Sequence, residues 1–174
     1  MRHTKLPLFL IFFLALASCY SSCQQQSKGN YLLLINDSVT NQYGYRDQTG
    51  KPVIPFGKYP IAFTDTFRTN AIVLKPGEGF VAIDRTEKVL YHIYPFDNGP
   101  DYPVEGLYRI IENGKIGYAD LNGHIVIAPQ FTCAYPFDNG KAKVSTHCTS
   151  HTDGEHSYWE GNEWYFIDKK GKRL

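Results

Sequence analysis

The chain has 174 residues, of which 43% are hydrophobic, and it carries 18 Lys and Arg against 17 Asp and Glu. This length is typical of one domain, and the composition excludes a disordered or fibrous chain. The nearly neutral balance argues against a nucleic-acid-binding protein, because such a surface carries a clustered basic excess. Beyond the N-terminus, no stretch is apolar enough to form the helix of about 20 residues that spans a bilayer.

The N-terminus has the pattern of an export signal. Basic residues precede an apolar run from Leu6 to Leu16, and two small residues then lead to Cys19. We therefore predict a signal peptide over residues 1–18. The segment Leu16-Ala17-Ser18-Cys19 resembles the lipobox of bacterial lipoproteins, which implies that Cys19 is lipidated and becomes the first residue of the mature chain. An ordinary secretory signal with an incidental Cys19 is the alternative.

The predicted anchor places the protein in the bacterial cell envelope, held to a membrane by lipid at the periplasmic face or the cell surface. Residues 19–30 are polar and predict a flexible tether, so the folded domain is expected at residues 31–174. An oxidising compartment permits one disulfide among the three remaining cysteines. We favour a bridge between Cys133 and Cys148, because both lie in the folded region and Cys23 lies in the tether; three unpaired thiols are the alternative.

The folded region is built from repeats. Four short segments, each aromatic or containing glycine, end in Asp, and a turn and usually another β-rich run follow each Asp. These segments are residues 43–47, 80–84, 116–120 and 164–168. Asp at the start of a turn accepts hydrogen bonds from the backbone ahead, and the Gly that follows three positions later in three units permits a positive φ. Each unit therefore predicts a strand, a tight turn, an aromatic strand, an Asp-x-x-Gly turn and a third strand.

The links between units also repeat, since Tyr-Pro-Phe-Asp-Asn-Gly occurs at residues 94–99 and again at 135–140. Aromatic side chains at equivalent positions, such as Phe96 and Phe137, are expected to fill a core that one small unit cannot build alone. The pattern shows no helical periodicity after the signal. It predicts an all-β fold of tandem three-stranded meander units stacked as a short solenoid, with a propeller-like or closed arrangement as the alternative.

Residues 116–144 resemble the WG (KWG) repeat. The pattern of that family is Trp-Gly-Tyr-Ile-Asp, a turn Gly, Val-Ile-x-Pro and Phe-x-x-Gly-x-Ala-x-Val, and the first and third units follow it most closely. The signature Trp is replaced by Tyr43, Phe80 and Ile116 in the first three units, and Val81 and Tyr165 replace the Gly in the second and fourth. The resemblance implies tandem β-hairpin units and an adaptor or binding role, and it supplies no catalytic residues.

An insertion at residues 147–162 lengthens the fourth unit. Within ten residues it holds four side chains of the types that bind zinc or copper, namely His147, Cys148, His151 and His156. Their spacing matches no known site, and a solvated hairpin loop is the alternative. The insertion also holds Tyr158 and Trp159, which lie outside the repeat register and are predicted to be exposed, as is Tyr102.

No nucleophile elbow, phosphate-binding loop or other catalytic motif is present, so we expect no enzyme and no cofactor besides the lipid on Cys19. We predict a non-catalytic envelope module that binds a protein partner, with the insertion as its first candidate surface. A glycan-binding surface that uses Tyr158 and Trp159 as a stacking platform is one alternative. Metal binding by the His-rich insertion is another.

Overall fold

Strands make up the regular structure of the computed structural model, which describes residues 30–154 and 156–174. The predicted signal peptide, the lipidation site Cys19 and the tether residue Cys23 lie outside these residues. The strands belong to one compact unit, residues 31–174. Within the described part of the chain, no helix is long and apolar enough to cross a membrane.

The described residues contain eighteen strands. In chain order they are β1 (Leu32–Asp37), β2 (Gln42–Arg46), β3 (Pro52–Tyr59), β4 (Ile61–Ala62), β5 (Thr66–Phe67), β6 (Asn70–Lys75), β7 (Gly79–Asp84), β8 (Val89–Ile93), β9 (Pro95–Phe96), β10 (Gly99–Pro100), β11 (Leu107–Glu112), β12 (Lys115–Asp120), β13 (Ile125–Phe131), β14 (Cys133–Ala134), β15 (Lys141–Ser145), β16 (Cys148–Asp153), β17 (His156–Gly161) and β18 (Tyr165–Asp168).

The predicted all-β fold of meander units is confirmed. Strands β1–β3, β6–β8 and β11–β13 form three antiparallel units, and β15 pairs with β18 in the fourth unit across the insertion. Successive units also pair edge to edge, because β4 pairs with β6, β8 with β11 and β14 with β15. The second and third units thereby share one seven-stranded sheet, and each sheet of the described residues is open at both edges.

The apolar core lies between consecutive units. One cluster joins the first two units around Tyr45 and Phe67, and another joins the third and fourth around Tyr118 and Phe137. A smaller cluster around Tyr108 lies between the second and third units. Each unit is too small to enclose its own core, so its stability comes from its neighbours, as in other repeat folds.

Glycine in the aromatic strand marks a close approach of two backbones. A Cβ on Gly44 would lie 2.8 Å from the carbonyl oxygen of Ile54, and one on Gly117 would lie 2.6 Å from the nitrogen of Pro129. At both places the pairing with the third strand shifts register, as in a β-bulge. The second unit has Val81 at this position and pairs regularly there. The bulge therefore accounts for the Gly of the repeat.

The four turn aspartates act as predicted. In each turn, Oδ1 accepts the amide N–H groups two and four residues ahead, at 2.8 to 3.0 Å. A hydrogen bond from the Thr49 hydroxyl is the main cause that lowers the pKa of Asp47, and Thr86 does the same for Asp84. A lowered pKa means that these carboxylates stabilise the fold near neutral pH. That stabilisation is lost in acid, as the pH falls through their folded-state pKa values.

The two identical links differ, which corrects the expectation that Phe96 and Phe137 occupy equivalent core positions. Phe137 is 2% exposed, whereas Phe96 is 50% exposed. The turn that follows the Phe begins one residue earlier in the first copy than in the second. Successive strand residues point to opposite faces, so this shift moves the Phe96 ring away from the core.

Candidate binding surface

The insertion forms a hairpin of its own. Strands β16 and β17 pair antiparallel, with His151 opposite Tyr158 and Ser150 opposite Trp159, and they make a separate two-stranded sheet. Thr, Tyr and Trp favour a pleated conformation. At its base, a Cβ on Gly161 would lie 2.8 Å from the carbonyl oxygen of His147, so a side chain at this position would require the backbone to shift. The insertion therefore forms a β-hairpin separate from the sheets of the repeats.

A disulfide ties this hairpin to the repeats. The structure pairs Cys133 with Cys148, whose Cα atoms are 6.2 Å apart and whose sequence separation is 15 residues. Cys133 is buried in β14, the short strand that follows the third unit. Cys148 is the first residue of β16. The bridge therefore holds the base of the hairpin against the core.

The two faces of the hairpin differ in their surroundings. The Trp159 ring contacts the rings of Tyr135, at 5.1 Å between centroids, and Tyr94, at 6.1 Å. Tyr158 instead stacks on His151 at 5.3 Å and is 56% exposed. Adjacent strand residues point to opposite faces. Tyr158 and Trp159 therefore do not form the shared stacking platform that their adjacency suggested.

The predicted metal ligands have separate partners. Nδ1 of His147 lies 3.1 Å from a carboxylate oxygen of Glu163, and Nε2 of His151 lies 3.1 Å from one of Glu160. Cys148 is in the disulfide, and the side chain of His156 lies outside the described part. Among the described residues, no three His, Cys, Asp or Glu side chains come together as a ligand set.

Beside the hairpin, aromatic and basic side chains lie together on strands β15 and β18 and on the residues that precede these strands. Nζ of Lys141 lies 5.0 Å from the centre of the Phe166 ring, and Nζ of Lys143 lies 4.9 Å from that of Trp164. Tyr135 contacts Trp164 at 5.5 Å between ring centroids. We call these five residues the aromatic-lysine row. Tyr135 is 42% exposed and Phe166 43%, and both lysines are exposed.

A buried ion pair supports the inner end of this surface. Arg109 and Asp101 have side chains that are only 4% and 3% exposed, and Nε of Arg109 donates to Asp101 at 3.0 Å. The guanidinium lies over Tyr94 at 4.5 Å, and it also donates to the carbonyl oxygen of Ala134 at 3.2 Å. Burial raises the pKa of the Tyr94 hydroxyl. The pair therefore fixes Tyr94, on which Trp159 packs.

Sequence reasoning missed both features. Arg109 is the one charged residue within the apolar run from Leu107 to Ile111, and an unexplained charge in a buried strand is a signal for a partner. The row has a weaker signal. Lys141 and Lys143 alternate with small and apolar residues, as do Trp164 and Phe166, but the segments are more than 20 residues apart. Only their pairing across the insertion brings them together.

Tyr102, predicted to be exposed, lines an open groove of about 420 Å³ with Phe63 and Leu121. Its lining includes Asn70 and Tyr108, and the amide of Asn70 donates to the Tyr108 hydroxyl at 3.4 Å. These two polar groups are therefore already paired with each other. The hairpin and the adjoining row are therefore the stronger candidate surface.

A comparison with protein families supports a WG repeat in this chain. Residues 116–146 match the family model described as WG containing repeat. The match covers the second and third strands of the third unit and continues to the end of β15, and it includes the close approach at Gly117 and the Asp120 turn. No curated protein and no solved structure matches the chain.

Proposed function

We propose that this protein is a non-catalytic binding module, anchored by lipid at Cys19 to the bacterial cell envelope, that recognises a protein partner through its insertion hairpin. The observation that carries the proposal is the two-faced hairpin. One face is fixed to the repeats through Trp159, and the other presents Tyr158 and His151 to solvent. A hairpin that is attached by a disulfide and presents an exposed aromatic side chain suits recognition of a protein surface.

The contacts that attach the hairpin to the repeats favour binding, because they lower the entropic cost of ordering the hairpin when a partner docks. The disulfide holds its base, and the contacts of Trp159 with Tyr135 and Tyr94 hold its inner face. A loop that is ordered before binding loses less conformational freedom when a partner docks. Tyr is enriched at protein interfaces because its ring is large, rigid and carries a polar end. Tyr158, stacked on His151, is therefore the expected anchor of the interface.

The proposed lipid anchor would hold the domain at a membrane of the cell envelope. An acyl chain contributes about 0.8 kcal/mol for each buried CH₂ group, so two or three chains hold a protein at a membrane almost permanently. The polar residues 19–30 would let the domain reach a partner in the same envelope. Intact mass of the membrane-extracted protein is expected to show an acylated N-terminal Cys19, and Cys19→Ala is expected to remove that mass. A mature N-terminus without lipid would contradict the anchor.

Site-specific photocrosslinking in living cells tests the hairpin. A photoreactive amino acid at Thr149, which is exposed on the same face of the hairpin as Tyr158, is expected to give one discrete crosslinked protein, and the band is expected to disappear when Tyr158→Ala is added. The same probe at Val39, which is 91% exposed on a turn of the first unit, is the matched control. Equal crosslinking from positions 39 and 149 would contradict docking at the hairpin.

A further inference from the structure

The aromatic-lysine row lies in the most basic part of the chain. Residues 135–145 and 164–174 carry six Lys and Arg residues and only two Asp residues. The remainder of the folded region holds nine Lys and Arg against fifteen Asp and Glu, and the hairpin segment 147–162 contains no Lys or Arg. Of these six residues, Lys169 pairs with Glu105 and Arg173 lies over Tyr165, while Lys141 and Lys143 lie over the rings of the row. This asymmetry favours an anionic ligand.

The row lies along the strands. Phe166 on β18 lies directly opposite Lys143 on β15, Lys141 lies two residues before Lys143, and Trp164 immediately precedes β18. Residues two apart on a strand repeat about every 7 Å. The two lysines therefore run along β15 and the rings of Phe166 and Trp164 run beside them, while the opposite face of β15, with Ala142 and Val144, is buried. Two such parallel columns match a linear polymer whose repeating unit has both an apolar face and an acid group.

These rings lie on a sheet face with lysines close over them. Membrane insertion is favoured instead by rings that protrude from loops, where they can enter the headgroup region. Rings on an open sheet face suit stacking against flat, rigid rings of a ligand. Lysine ammonium groups act as compact point charges with three donors each, which suits carboxylate or sulfate groups. A sugar ring that carries an acid group meets both requirements.

We infer that the aromatic-lysine row is a second binding site, separate from the outer face of the hairpin, and that its ligand is an acidic polysaccharide. The apolar faces of the sugars stack on Tyr135, Trp164 and Phe166. The acid groups lie against Lys141 and Lys143. The two surfaces then let one anchored module contact an envelope protein and an acidic glycan at the same time.

Titration of the full-length lipidated protein in detergent micelles tests this site, with tryptophan fluorescence as the readout. The probes are polygalacturonate, alginate, hyaluronate and chondroitin sulfate. At least one is expected to bind and to quench Trp164, and binding is expected to weaken with added salt because the lysines contribute through charge. Fully methyl-esterified polygalacturonate removes the charge while keeping the sugar, and it is expected not to bind. Failure of all four acidic polymers would overturn the proposal.

Substitutions locate the site. Lys141→Gln with Lys143→Gln is expected to weaken binding roughly tenfold, in proportion to the loss of two exposed charge contacts. The matched control is Lys51→Gln with Lys88→Gln, which removes the same charge from exposed turns of the first two units. Phe166→Ala is expected to weaken binding about fivefold. Equal effects of the two lysine pairs would overturn the assignment to the row.

Two further probes separate the acidic polysaccharide from other anions. Polyglutamate carries acid groups without sugar rings, and vesicles with anionic headgroups present charge on a lipid surface. Binding of either as tight as that of the best polysaccharide would overturn the proposal. Tyr158→Ala is expected to leave polysaccharide affinity unchanged, because Tyr158 faces away from the row. The proposal for the row and the proposal for the hairpin can therefore be contradicted independently of each other.

Discussion

In the link between the second and third units, Tyr-Pro-Phe-Asp-Asn-Gly turns at Asp97 and Asn98, both with positive φ. In the next link the same six residues turn at Asn139 and Gly140. Both are two-residue turns with positive φ at each central position, the geometry that suits a β-hairpin. The turn therefore lies one residue later in the second copy, although the six residues are identical.

The residue after the repeat explains the difference. In the second copy, the Lys141 amide N–H donates to the carbonyl oxygen of Asp138, which closes the turn. The first copy has Pro100 at the equivalent place, and proline has no N–H to donate. The chain pairs Gly99 with Phe96 instead, which leaves Pro100 opposite Pro95. One residue outside a repeated motif thus decides which face the motif presents.

The two links are consequently stabilised by different interactions. Around the second copy, the buried Phe137 ring packs against Tyr118 at 4.9 Å between ring centroids. Around the first copy, the buried Asp101–Arg109 pair takes that role, and the exposed Phe96 lies 5.4 Å from the Arg109 guanidinium. The second unit has Ala82 where the third has Tyr118, so it offers no ring for Phe96 to pack on. The first link is therefore stabilised by a buried ion pair, and the second by apolar packing.

Removal of the ion pair should have the largest effect. Asp101→Ala leaves Arg109 buried without its carboxylate, which is expected to lower the free energy of unfolding by about 3–5 kcal/mol. Urea denaturation, monitored by tryptophan fluorescence, measures this change in the free energy of unfolding. Asp97→Asn, in the exposed turn of the same link, is the control and should change stability by less than about 0.5 kcal/mol. A loss of under about 1 kcal/mol for Asp101→Ala would contradict the proposed role of the pair.

Truncation of the two phenylalanines compares the copies directly. Phe137→Ala should lower the free energy of unfolding by about 3–4 kcal/mol, because it opens a cavity against Tyr118. Phe96→Ala should cost less, about 1–2 kcal/mol, because half of that ring is already in solvent and the loss is mainly its cation–π contact with the buried Arg109 guanidinium. The same denaturation experiment applies, and equal losses would refute the difference in packing.

Substitution of the last glycine in each copy tests whether the turn lies one residue later in the second copy. Gly140 has a φ of 76°, and a Cβ there would meet no atom within 4 Å, so Gly140→Ala should lower stability by about 1–2 kcal/mol through backbone strain alone. Gly99 does not adopt a positive φ, and its Cβ would be 3.7 Å from the nearest atom, an ordinary contact. Gly99→Ala should therefore be tolerated. If both substitutions cost the same, the two turns share one frame.

These comparisons show where reading the sequence succeeds. The Asp turns and the meander units depend on neighbouring residues, so local patterns predicted them. The position of Phe96 depends on Pro100 and Ala82, which lie outside the repeated letters. The site follows the same rule. Tyr158 and Trp159 are adjacent in sequence but diverge across a strand, whereas the lysines and rings of the row are distant in sequence and converge through strand pairing.

The smallest expected effect concerns the hydrogen bond that holds the second copy to its unit. The Tyr118 hydroxyl donates to the carbonyl oxygen of Tyr135 at 2.7 Å, whereas the equivalent carbonyl of Tyr94 accepts the Asp101 amide. Tyr118→Phe removes that donor without opening a cavity, and it should lower the free energy of unfolding by about 1 kcal/mol. Tyr45→Phe should cost a similar amount, because the Tyr45 hydroxyl donates to the carbonyl oxygen of Thr64 in the first link. A large loss for one and none for the other would show that the repeats do not share this bond as a common support.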